Sequence, residues 1–115
     1  MIDAAEQFRA RLAEELRTAF AAHDRAAIRT LRCIMAAVDN SGAISRTAQA
    51  AYVAASITEA PRKPLSEQAI AEILLAEISA RRRAADLYER AGNVVQVDEL
   101  RTEIATIEHL TTLLR

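Results

Sequence analysis

Apolar side chains in this chain recur every three or four residues and almost nowhere every two, a pattern that restricts the fold to helices packed on helices. The last segment is the plainest case: Val97, Leu100, Ile104, Ile107, Thr111 and Leu114 follow the spacing of a short coiled-coil seam. Three earlier segments repeat the pattern. Residues 3–22 place Ala5, Phe8, Leu12, Leu16 and Ala19 on one side, and Glu6, Glu14 and Arg17 on the other. Asp24 reads as the N-cap of a second helix reaching about residue 38, with Ile28, Leu31, Ile34, Met35 and Val38 on one face. The run "DNSG" at 39–42 is expected to end it.

Residues 43–64 read as a long connection, in which an alanine-rich stretch at 47–56 is compatible with a short helix before a Pro-flanked basic exit. A third helix starts at Ser66. Leu65 and Ile70 match the hydrophobic-staple positions, Glu67 suits the helix dipole, and Gly92 is the natural stop. The fourth helix covers residues 94–114 and so forms an antiparallel hairpin with the third through a very tight turn. The expectation is an all-α single domain over residues 1–115, a small bundle of four main helices. Its core is expected to hold Phe8, Leu12, Leu16, Ile28, Leu31, Met35, Ile73, Leu74, Ile78, Tyr88, Leu100, Ile104 and Ile107.

Such a chain has 115 residues, enough to bury about two-thirds of its unfolded surface. Much of its apolar content is alanine, which favours helix and lets helices approach closely. The formal charge of −1 and pI of about 6.1 argue against a protein that coats nucleic acid without selectivity, although a local basic patch remains compatible. The opening "MIDAAEQFRARLAEELR" is charged every few residues and does not read as a signal peptide. No apolar run approaches membrane-spanning length, so a soluble cytoplasmic protein is expected.

The inventory excludes most catalysis. Lys63 is the only lysine, and Gly42 and Gly92 are isolated, so neither a Ser–Lys centre nor a phosphate-cradling loop is available. Cys33, the only cysteine, makes an internal disulfide impossible and reads as a small buried hydrophobe. His23 and His109 have no acid or Cys in metal-ligand register beside both, so no metal site and no cofactor is expected.

Two polar features stand out. Glu77 and Arg81 sit in the middle of the stripe that Ile70, Ile73, Leu74 and Tyr88 form on the third helix. They are one turn apart, and Glu103 flanks the seam of the fourth helix, so the three can form an interhelical clasp. A polar pocket that receives a ligand is the other reading. Secondly, Arg25, Arg29 and Arg32 share one face of the second helix without an acidic partner among them, while Arg82 and Arg83 project from the third. Unpaired guanidinium rows suit phosphate. The same rows also suit a merely solvated face.

The segment "AEISARRRAADLYERAGN…ELRTEIATIEHL" resembles the GatB/YqeY family, whose signature runs Glu-x3-Arg-Arg, an aromatic, Ala-Gly, and a Glu-rich helix. Glu77, Arg81, Arg82, Tyr88, Ala91, Gly92 and Glu103 stand at matching positions. "AAHDRAAIRTLRCIMAAVDN" at 21–40 looks like the family's Asp-x-x-x-Leu-Arg-x-x-x-Ala-Ala segment. The resemblance implies kinship with the helical tail of the B subunit of tRNA-dependent amidotransferases. There the tail is associated with holding tRNA while amidation occurs elsewhere. A carbon–nitrogen ligase label with glutamine as amido donor would therefore be inherited without a catalytic residue in this chain. The expectation is a tRNA-associated accessory module, with Arg25, Arg29, Arg32, Arg82 and Arg83 as phosphate contacts. The alternative is a protein-interaction or oligomerisation module, with Leu110 and Leu113 as an exposed homodimer seam.

Overall fold

The computed structural model describes residues 3–56 and 65–114, with side chains described for 3–41 and 65–114. Among the described residues four helices follow one another: α1 (Ala4–Ala21), α2 (Arg25–Ser56), α3 (Glu67–Arg90) and α4 (Val94–Thr112). No strand occurs among the described residues. Each helix opens on a short polar side chain that takes up a free backbone N–H. The Asp3 carboxylate accepts from Glu6 N, that of Asp24 from Ala27 N, the Ser66 hydroxyl from Ala69 N, and the Asn93 amide oxygen from Gln96 N.

One boundary differs from the sequence expectation. "DNSG" does not end α2, which continues through Gly42 to Ser56 and takes in both the expected connection from residue 43 and the stretch at 47–56. A glycine inside a helix costs only about 1 kcal/mol, which the alanine-rich residues on its C-terminal side offset. The Pro-flanked exit at 57–64 lies outside the described residues. At about 1.5 Å per residue, α2 spans about 48 Å and overruns its neighbours.

The most extensive packing is between α3 and α4, while α2 lies against all three other helices. Their common core holds Phe8, Leu12, Leu31, Ile34, Val38, Ile70, Leu74, Ile78, Ile104, Ile107 and Leu110. Leu16, Ile28, Met35 and Ile73 pack against it partly buried. Tyr88 is a correction. It stands in the last turn before the α3–α4 reversal, 38% exposed, with its hydroxyl able to stay in water. Leu100, also expected in the core, is half-buried.

The two reversals share one geometry. His23 N donates to Phe20 O and Asp24 N to Ala19 O; likewise Gly92 N donates to Glu89 O and Asn93 N to Tyr88 O. These are Schellman turns in which the residue after the C-cap must be left-handed, and the next residue caps the following helix. Gly92 takes φ +74° without strain, whereas His23 takes φ +54° with a side chain. A Cβ at Gly92 would meet nothing within 4 Å, so Gly92→Ala carries the backbone cost alone. Thermal unfolding is expected to show opposite effects of about 1 kcal/mol at most, or about 4 °C: Gly92→Ala lowers Tm and His23→Gly raises it. Equal signs would refute this account of the turns.

Candidate interhelical clasp and arginine face

Residues 77 and 81 are one helical turn apart, and the α3–α4 packing lays residue 103 beside them. Arg81 Nη1 donates to Glu77 Oε1 at 2.8 Å and to the Glu77 carbonyl at 3.1 Å, while its Nε donates to Glu103 Oε1 at 2.9 Å. The guanidinium thus holds a carboxylate from its own helix and one from the neighbouring helix. Its side chain is 12% exposed, against 33% for Glu77 and 26% for Glu103. Among the described residues no buried side-chain nitrogen or oxygen lacks a partner. Nε and Nη1 of Arg81 are thus bonded to carboxylates on two helices, the contacts an interhelical clasp requires.

Burial works against the Arg81 charge, but the hydrogen bonds to Glu77 and Glu103, together with their negative charges, outweigh it and raise the guanidinium pKa. A raised cation pKa contributes stability that is complete below the unfolded value and lost as pH rises through the folded one. For arginine both lie far above the working range, so Arg81 itself gives folding no pH dependence there.

Arg25, Arg29 and Arg32 are all exposed. Their spacing places them on one side of α2, and none forms an ion pair with a described residue. Arg32 has another neighbour, the ring of Phe20 near the end of α1, whose centroid lies 5.4 Å from the guanidinium carbon. Phe20 is itself 46% exposed. On α3, Arg82 lies 3.7 Å from Glu108, with both side chains more than half exposed, a pairing that water and salt weaken. Arg83 is exposed and forms no ion pair with a described residue. The five arginines therefore fall into two groups, with the row on α2 freer of carboxylates than the pair on α3.

Several contacts were not legible from spacing. Arg11 Nη1 donates to the Leu113 carbonyl at the end of α4, where a cation is favoured by the helix dipole. Arg9 pairs with Asp39 at 3.1 Å, and His109 Nε2 lies 3.0 Å from Glu15 Oε1, linking α4 to α1. Two expectations are corrected. Leu110 is fully buried and Leu113 packs partly buried against the core, so neither offers an exposed dimer seam. Cys33 is exposed, because its neighbour Ile34 takes the inward position.

Among the described residues no three His, Cys, Asp or Glu side chains converge as a metal site, and no helix is long and apolar enough to cross a membrane. Compared with protein-family models, with curated proteins and with solved structures, the chain matches none.

Proposed function

We propose that this chain is a non-catalytic, cytoplasmic, RNA-associated helical module that uses the arginine row of α2 to hold phosphates, in the manner of the amidotransferase tail it resembles. The observation that carries the reading is the exposed side of α2, where Arg25, Arg29 and Arg32 stand together without a described carboxylate partner. Guanidinium groups present fixed donor pairs to phosphate oxygens, and such contacts release counterions. Arg83 and the loosely held Arg82 extend the same chemistry to α3. Any carbon–nitrogen ligase role belongs to a larger assembly, with this chain contributing RNA contacts.

A tRNA titration at several salt concentrations tests this. Binding is expected to weaken steeply with salt, and replacing Arg25, Arg29 and Arg32 together by Ala should reduce the slope of log K against log salt by about two to three. Absence of tRNA binding at low salt refutes the reading.

One observation favours a second reading, a protein-interaction module. Leu87, Val94 and Val95 are each about two-thirds exposed, beside Tyr88, around the α3–α4 turn. Wild-type binding that ignores salt and fails to respond to the arginine replacements would favour it.

A further inference from the structure

Phe20 is a large apolar side chain left nearly half in water although it lies on a helix that buries Phe8, Leu12 and Ala19. It does not belong to the core. The Arg32 guanidinium carbon lies over its ring, 5.4 Å from the centroid, and Arg32 ends the row that Arg25 and Arg29 begin. A cation over an aromatic face is attracted to the ring quadrupole, and both side chains here remain exposed. Flat π-surfaces of this type stack unpaired nucleobases, whereas bases in a duplex are already stacked on one another.

We infer that Phe20 and Arg32 form a stacking platform for one unpaired nucleobase, positioned by phosphate contacts at Arg25 and Arg29. The inference rests on the phosphate-binding reading and adds what that reading lacks, a preference for single-stranded segments. The spacing supports it: residues 25, 29 and 32 share one side of α2, and the contact with the ring is made by Arg32 of that row. Phosphate contacts alone would favour a duplex, whose charge density is higher. A stacking ring reverses that preference.

The test compares an unstacked oligouridylate with a fully paired RNA hairpin of equal length by fluorescence anisotropy, using the whole chain at fixed salt. Phe20→Ala should weaken oligouridylate binding by about five- to tenfold, leave hairpin binding unchanged and leave the salt slope unchanged, because a lost stack releases no counterion. Phe20→Trp should restore or tighten it. Arg25→Ala with Arg29→Ala should weaken both ligands and flatten both slopes. Equal losses on the two RNAs, or none on either, with Phe20→Ala overturn the platform while leaving the phosphate face standing. If the wild type binds neither RNA at low salt, the phosphate reading fails and the platform with it. Because Phe20 lies outside the core, helicity by circular dichroism should be the same in all these variants.

Discussion

Replacing Leu110 by Ala lowers the unfolding free energy by about 2–5 kcal/mol, measured by denaturant titration, and Leu110→Asp leaves a large unfolded fraction at room temperature. The side chain is fully buried in the cluster that joins Phe8, Leu12, Ile34, Ile70, Leu74 and Ile107. Truncation removes buried methyl groups and leaves a cavity that helices from four directions cannot readily close. A carboxylate there has no partner and must either desolvate or bring water into the core. A domain of this size is stable by about 5–15 kcal/mol, so the Asp variant consumes a large part of that margin. An exposed leucine behaves otherwise. Leu75→Ala, at a position 60% exposed, is expected to change stability by less than about 0.5 kcal/mol. If Leu110 were instead a dimer seam, Leu110→Ala would barely affect unfolding and would change the concentration dependence of sedimentation.

The burial of Leu110 shows what helical spacing conveys. Read alone, the seam through Ile104, Ile107 and Thr111 serves one partner helix and leaves Leu110 beside it. In the fold α4 packs on both α2 and α3, so its apolar arc is wider than a seam and takes in Leu110. Spacing identifies the helix but not how many neighbours it will have. The α2 boundary failed for a related reason: Gly42 carries a stop signal only when left-handed geometry follows, as at Gly92, and otherwise it is a modest penalty inside a helix. The N-caps at Asp24 and Ser66 were legible because capping is local, involving residues three apart. So was the meeting of Glu77, Arg81 and Glu103, which one turn of helix and a hairpin register suffice to place. The Phe20–Arg32 contact needed the α1–α2 packing angle, which no spacing rule supplies.

Arg81→Ala is expected to cost about 1–3 kcal/mol, less than the roughly 3–5 that breaking a fully buried pair costs. The reduction follows from exposure: Glu77 and Glu103 keep about a third and a quarter of their side-chain surface in water, so once orphaned they can rehydrate. The two bonds also differ in what they stabilise. The Glu77 pair lies within one helix and contributes a few tenths of a kcal/mol as other one-turn pairs do. The Glu103 bond joins α3 to α4 and exists only when the hairpin is in register. A double-mutant cycle on unfolding free energies should therefore give a larger coupling for Arg81 with Glu103 than for Arg81 with Glu77. Arg81→Lys should not restore the loss, because a single ammonium has no fixed pair of donors with which to hold carboxylates from two helices at once. Equal couplings, or full rescue by lysine, would mean that Arg81 acts as a diffuse charge near two acids and that the register of the hairpin is set by its apolar seam alone.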